Sequence, residues 1–206
     1  MKLYELGPTR SIRARWALQE LGVDFESIIV NLFAGEASRP EFLELNPAAK
    51  IPVLVDGDFV LTESAAIVLY LAEKYGKFLP ADVRGRAEVN KWLLFTVTEL
   101  EQPLWRMTKH HALYPEAKRL PADIPLAGED FSRMAEVAEK HMQGRLFVVG
   151  DDATVADFVL AYTLDWANEW KLLDRCPQLV AYMGRMYSRP NAPKRIAAIR
   201  AAAAKG

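Results

Sequence analysis

The run IPVLVDGDFVLTESAAIVLYLAEKY, residues 51–75, leaves this chain few choices. Two apolar stretches of strand length flank Asp56-Gly57-Asp58, and an Asp-Gly pair between such stretches is a strong hairpin signal. An amphipathic helix begins directly after Glu63 and Ser64 and stops at Gly76. Pro52 stands between two apolar residues at the head of the first strand, where it removes a backbone donor. Upstream, KLYEL predicts a strand that stops at Gly7-Pro8. SIRARWALQELG predicts a helix closed by Gly22, and FESIIVNL a second strand. RPEFLELNP predicts a short helix with Pro40 near its first turn and Asn46-Pro47 as its stop. The order over residues 1–77 is therefore β-α-β-α-β-β-α, a compact α/β unit with a mixed sheet.

The pattern then changes. KFLPADVRGR carries Pro80 and Gly85, so residues 78–85 read as a linker. From residue 86 to 206 the signal is helical, with RLFVVG as the one short strand candidate. AEVNKWLLFTVTELEQPLWRMTKHHALY predicts a long helix bent or broken near Pro103. PLAGEDFSRMAEVAEKHMQG predicts another. TVADFVLAYTLDWANEW is too apolar for a surface helix and is expected to be buried; its first residues, Thr154 to Asp157, have the form of a capping box with Asp in place of Glu. QLVAYMGRMYSRP is a further helix stopped at Arg189-Pro190, and the Ala-rich tail is expected to fray. The expected architecture is a small α/β domain followed by a larger all-α one.

Composition excludes several classes. The 206 residues are 51% hydrophobic, enough for a sizeable core. A net charge of -1 gives no nucleic-acid footprint, and RSIRAR is too small a basic run to change that. No stretch approaches the roughly 20 apolar residues of a membrane span. MKLYELGPTR lacks the apolar run of a signal peptide. The single cysteine, Cys176, rules out an internal disulfide and fits a reducing compartment, so a cytoplasmic location is expected. His110 and His111 face different directions on a helix and His141 is distant, so no metal is expected.

A chemical pattern surrounds Pro52. A proline in a buried turn before a strand is a candidate cis-proline, and such a turn presents the Val53 backbone to an extended ligand as if adding a strand. Lys50 can meet a carboxylate. Ser64, at a helix N-terminus, can cradle another with its N–H and hydroxyl, and Glu63 can take an ammonium. A ligand with two carboxylates, one amine and a peptide backbone between them satisfies all four. The competing reading is structural: Pro52 makes a rigid turn, Ser64 caps a helix and Lys50 is solvated.

NPAAKIPVLVDGDFVLTESAAIVLYLAEKY resembles the glutathione-binding segment of cytosolic glutathione S-transferases, whose pattern is Asn-Pro-x-Gly-Lys-Val/Ile-Pro followed by Leu-x-Glu-Ser-x-Ala-Ile-x-x-Tyr-Leu. KLYELGPTRSIRARWALQELGVDFE looks like that family's first strand and helix, and TVADFVLAYTLDWA like its buried N-capped helix. The resemblance implies a thioredoxin-like N-terminal domain that binds glutathione as co-substrate and an all-α domain that supplies the second-substrate pocket. It implies that Ile51 and a cis-Pro52 lead into Val53, which pairs with the cysteinyl backbone. Glu63 and Ser64 would receive the γ-glutamyl end, and Lys50 would approach the glycine carboxylate. It further implies a homodimer active in detoxification. One departure stands out: Ala49 replaces the usual glycine, and a positive φ there would strain it.

By the same resemblance, catalysis needs a donor or positive charge near the glutathione sulfur, because a free thiol with a pKa of about 8.5 is little ionised at neutral pH. The donor sits at the end of the first strand or in the loop opening the first helix, here YELGPTRSIR. With no cysteine there, the cysteine-using classes are excluded. Ser11 leads, at a helix start that favours an anion, although a bare N-cap is the alternative. Arg10 can act by charge, and Thr9 is the donor if the loop shifts by one residue. Tyr4 lies too early and reads as a core or strand residue; Glu5 occupies the better-matching position. The second pocket, for an apolar electrophile, draws on Trp105, Thr108, Lys109 and His110. The expected reaction is transfer of an alkyl or aryl group to glutathione. The alternatives are glutathione-dependent isomerisation, dehalogenation or peroxide reduction, a carrier of hydrophobic compounds, or a non-catalytic interaction module of the same fold.

Overall fold

The structure, a computed structural model, describes residues 1–204. Its contacts divide the chain into two compact units. One is Met1–Leu79 together with the segment from Tyr187 onward, and the other is Pro80–Met186.

The first unit is built on a four-stranded sheet in the order β2-β1-β3-β4. Strand β1 (Lys2–Glu5) is followed by helix α1 (Ser11–Leu21) and strand β2 (Glu26–Ile29). β1 and β2 are parallel, with Leu3 opposite Ser27; a parallel pair needs a crossover, and α1 supplies it. α1 stops because Gly22 adopts φ 67, which lets Val23 N–H reach Leu18 O at 3.1 Å and Gly22 N–H reach Gln19 O at 3.1 Å. A single 3-10 turn, Glu36–Ser38, leads into helix α2 (Pro40–Leu45), which takes Pro40 into its first turn and ends at Asn46.

Strands β3 (Val53–Asp56) and β4 (Phe59–Thr62) form the expected hairpin, with Asp56 opposite Phe59 and Gly57 at φ 67 in the two-residue loop. β3 runs antiparallel to β1, with Leu3 opposite Leu54 and Tyr4 opposite Val53. Side chains alternate along a strand. Val53 and Val55 therefore join Tyr4, Phe42, Val30, Ala37 and Ile51 in a cluster on the α2 side, while Leu3 and Leu54 face the other way. Helix α3 (Ser64–Tyr75) packs against α1, and the fully buried Trp16, Leu18, Ile67, Val68 and Leu71 lie on these two helices. The hairpin is tied to α3: Tyr70 donates to Asp56 Oδ2 at 2.6 Å and Lys74 pairs with the same oxygen. Lys74 and then Tyr70 hold the Asp56 carboxyl below the usual carboxylate range.

The second unit is helical: α4 (Val83–Phe95), α5 (Glu101–Thr108), α6 (Asp123–His141), α7 (Val155–Glu169) and α8 (Pro177–Tyr187), the last crossing the boundary by one residue. The long helix expected here is interrupted just ahead of Pro103, by a π-helical turn over Thr96–Leu100. Pro103 has no N–H for the carbonyl four residues back, and the hydroxyls of Thr96 and Thr98 bond to Trp92 O (2.7 Å) and Leu94 O (2.9 Å), so the ladder widens there. Every residue from Val155 to Ala167 in α7 is buried. Its capping box closes around Asp157, whose Oδ2 accepts Thr154 N–H at 2.7 Å and the Thr154 hydroxyl at 2.9 Å. Oδ1 takes Val148 N–H and Tyr182 O–H, each at 2.9 Å. Burial pushes the Asp157 carboxyl up, against these four donors.

Four expectations are corrected. RLFVVG is not a strand: Val148 gives its N–H to Asp157 and its carbonyl to His141 Nε2 at 2.8 Å, so neither group is available to a ladder. The interval 78–85 is not wholly linker, because Asp82 caps α4 by accepting Gly85 N–H at 2.9 Å and the helix starts at Val83. The chain from 86 to 206 is not one helical domain, because the C-terminal segment returns to the first unit. There Arg189 forms a two-pronged ion pair with Glu20 of α1 (2.6 and 2.9 Å), and Tyr187 lies 4.9 Å from the Trp16 ring. The tail expected to fray forms helix α9 (Ile196–Ala203), as alanine's helix propensity favours, with Ile196 buried.

Candidate active site

The turn that delivers β3 is built by Asn46. Its Nδ2 donates to Lys50 O at 2.7 Å, its Oδ1 accepts Ala48 N–H at 3.0 Å, and its own carbonyl accepts Ala49 N–H at 2.9 Å. The sequence marks Asn46 only as a helix stop; the Asn-Pro pair was the available sign of a side-chain-ordered turn. Ala49 adopts φ 54, so the alanine does occupy a left-handed position where glycine is the permissive residue. The Ile51–Pro52 bond is cis, and so is Gly7–Pro8, which the sequence had not suggested. Pairing of β3 with both neighbours ends at Val53, opposite Tyr4 and Thr62. The backbone leading into Val53 thus lies at the end of the ladder, where an extended ligand can continue it. Lys50 is exposed beside this turn.

The start of α3 has a distinct geometry. Glu63, not Ser64, is the capping position; it is exposed, at φ 67 and ψ 112, with no cap from its side chain. Ser64 is the first helical residue and is buried. Its oxygen accepts a hydrogen bond from Arg13 Nη1 at 3.2 Å, so its proton remains to be donated. Arg13 is only 1% exposed. The sequence reading counted it only in the small basic run RSIRAR and missed it. Its spacing from Ile12, Trp16 and Ala17 on the apolar side of α1 was the available signal. The amides of the first turn of α3 add a positive helix terminus at the same place.

The third group opens α1. Ser11 is the first helical residue and 1% exposed; Arg10 precedes it at the cap, half-buried. Thr9 Oγ1 lies 2.6 Å from Leu6 O and 2.9 Å from Ser11 Oγ, and it accepts Ser11 N–H at 3.2 Å. A hydroxyl has one proton, and a carbonyl oxygen only accepts. With the Thr9 proton on the shorter bond, to Leu6, the Ser11 proton is the one left to donate. Tyr4 packs its ring 6.1 Å from Phe42, inside the core cluster. Glu5 is buried and taken by Arg15 (Nε to Oε2, 2.8 Å) and Ser27 (2.6 Å). Ser11, Arg13 and Ser64 are thus linked through one helix, and the Lys50–Val53 turn belongs to the same unit.

In the helical unit, Trp105 is half-buried with its ring 6.3 Å from Trp166. The Thr108 hydroxyl donates to Leu104 O at 2.9 Å, and Lys109 lies over the Tyr114 ring. His110 Nδ1 accepts Leu120 N–H at 3.1 Å, and its Nε2 is 3.6 Å from Asp123. Arg106 bridges Asp123 (3.2 Å from Nε) and Asp130 (2.8 Å). No group of three or more His, Cys, Asp or Glu side chains among the described residues is arranged to hold a metal ion, and none of the described helices is long and apolar enough to cross a membrane.

Known proteins match both parts of the chain. Residues 1–73 match the family described as Glutathione S-transferase, N-terminal domain, and residues 107–190 match Glutathione S-transferase, C-terminal domain. Glutathione S-transferase F10 of Arabidopsis thaliana is 37% identical over 154 residues, 71% of either chain. The glutathione transferase URE2P5 of Phanerochaete chrysosporium superposes with a TM-score of 0.85 at 26% identity, over 99% of this chain and 96% of that one. A glutathione transferase from Burkholderia graminis, crystallised with two glutathione molecules per subunit, shares the fold with a TM-score of 0.83 at 24% identity, over 93% of this chain and 85% of that one.

Proposed function

Because this chain belongs to the glutathione S-transferase family, we propose that it binds glutathione on its first unit and activates the thiol for attack on a small apolar electrophile. The observation that carries the reading is the start of α3. An exposed Glu63 carboxylate stands beside the buried Ser64 hydroxyl, whose oxygen is occupied by Arg13 and whose proton is free for a ligand carboxylate. The zwitterionic γ-glutamyl end of glutathione matches that pair: its carboxylate faces Ser64 and the helix amides, and its ammonium faces Glu63. Val53, at the end of the ladder after Ile51 and Pro52, takes the cysteinyl backbone, and Lys50 takes the glycine carboxylate.

Ser11 then donates to the sulfur and favours thiolate over thiol, with the half-buried Arg10 adding positive charge nearby. The thiol proton passes to solvent. The sulfur lone pair forms the new S–C bond, and the leaving group departs with its bonding electrons. Trp105 offers the electrophile an apolar ring. Thr108, Lys109 and His110 already have partners within the helical unit, so their contribution is expected to be shape more than charge. Exposed Phe59 and Val60 on β4 are side chains a homodimer contact would cover. A single cysteine, buried and free, supports a reducing, cytoplasmic setting.

Isothermal titration with glutathione tests the reading. Ser64→Ala removes a charge-assisted hydrogen bond worth about 1.5–3 kcal/mol, so Kd should rise roughly 10- to 150-fold. Unchanged affinity overturns the carboxylate assignment. Turnover of a generic aryl halide by the wild type separates the enzyme from its rivals. Binding without turnover points to a carrier or a narrow-specificity enzyme, and no binding at millimolar glutathione points to an interaction module.

A further inference from the structure

We propose that Thr9 is a positioning residue that strengthens Ser11 as a hydrogen-bond donor to the bound thiolate; the inference rests on the reading of Ser11 given above. Three contacts define the pair: Thr9 Oγ1 to Leu6 O at 2.6 Å, Thr9 Oγ1 to Ser11 Oγ at 2.9 Å, and Ser11 N–H to Thr9 Oγ1 at 3.2 Å. Without a ligand, the Thr9 proton goes to Leu6 and the Ser11 proton to Thr9. The Thr9 hydroxyl is then saturated, giving one hydrogen bond and accepting two, and has no proton for a sulfur.

An arriving thiolate changes the balance. It takes the Ser11 proton as a hydrogen bond, and Ser11 Oγ keeps its own lone pairs. At 2.9 Å, that oxygen can accept from Thr9 if the Thr9 proton turns about its Cβ–Oγ bond, from Leu6 toward Ser11. No heavy atom moves. The result is a chain, Thr9 O–H to Ser11 O–H to sulfur, in which the first bond polarises the second. Burial strengthens the case: with Ser11 only 1% exposed, water is a poor competitor for its second acceptor position. The backbone bond from Ser11 N–H holds the Thr9 side chain across the start of α1, so the two hydroxyls stay in register.

The test follows the ultraviolet absorbance of bound thiolate against pH, alongside steady-state kinetics. Thr9→Val should raise the apparent pKa of bound glutathione by about half a unit to one unit, a three- to tenfold smaller thiolate fraction below that pKa. It should lower kcat in proportion and leave KM for glutathione within about twofold. Thr9→Ser should restore both. Thr9→Val on top of Ser11→Ala should do no more than Ser11→Ala alone, because Thr9 acts through Ser11. Thr9→Ala adds no bulk and carries the same comparison should Thr9→Val not fold. A Ser11→Ala shift with no Thr9→Val or Thr9→Ala shift overturns the relay and leaves the Ser11 reading standing. An unmoved curve in Ser11→Ala overturns both.

Discussion

Ala49→Gly is the substitution whose outcome the backbone most directly fixes. Ala49 sits at φ 54. An L-residue in that region costs about 1–2 kcal/mol that glycine does not. Against this, glycine loses more chain entropy on folding, about 0.5–1 kcal/mol. The methyl group is half-buried against the cluster of Val30, Ala37, Phe42, Ile51 and Val53. Removing it costs about 0.4 kcal/mol, half of the roughly 0.8 kcal/mol for a fully buried methylene. Taking midpoints, the net is a small stabilisation of roughly 0.3–0.5 kcal/mol, or about 1–2 °C in Tm for a chain of this size.

A larger signal comes from the contrast with Ala49→Val. A β-branched residue at positive φ is a genuine outlier, so valine should destabilise by about 1–2 kcal/mol. The separation between the two variants is then about 2 kcal/mol. Urea unfolding followed by circular dichroism measures it, with midpoint and slope reported together because the chain has two units. Glutathione affinity should stay within about twofold in Ala49→Gly, since the path into Pro52 is unchanged. Loss of 1 kcal/mol or more in the glycine variant, or a valine variant as stable as the wild type, would refute the reasoning.

Two further outcomes are expected. Glu63 at φ 67 and ψ 112 lies in a sparsely populated region, a strain of about 1–3 kcal/mol; Glu63→Gly should therefore raise the melting temperature while weakening glutathione binding at least tenfold, roughly the loss of one charged contact, and a fall in melting temperature counts against the strain. Arg106, hydrogen-bonding Asp123, holds that carboxyl below the usual carboxylate range. A depressed folded pKa stabilises above the unfolded value, about 3.9, and that stability is lost as pH falls through the folded value. The urea-midpoint gap between wild type and Asp123→Asn should therefore hold from about pH 5 to 8 and close below about pH 4; a gap persisting in acid rejects the ion pair as its source.

Much of the fold was legible along the chain, and for local reasons. Gly57, Gly22 and the Thr154–Asp157 box each act within a few residues, so turn chemistry and capping could be read directly. The strand order within the mixed sheet was not written there, because pairing of β1 with both β2 and β3 is a choice among distant partners. At the candidate site, Pro52 stood out because proline is unusual at a strand head, and Glu63 and Ser64 because they place a carboxylate and a hydroxyl beside the free amides of a helix start. Arg13 did not. Its spacing put it on the apolar side of α1, but only the approach of α3, 51 positions later, makes it the buried donor to Ser64.

The sequence by itself determined the element order of the first unit, the turn at Pro52 and the composition of the helix start that follows. Tertiary structure decided which arginine is buried, that it donates to Ser64, and that the segment after Tyr187 returns to the first unit through Glu20 and Arg189. The physical reason is range. Backbone propensity, capping and short side-chain bonds act over a few residues, whereas burial and long-range pairs such as Arg13–Ser64 and Arg189–Glu20 depend on surfaces that meet only when the chain has closed.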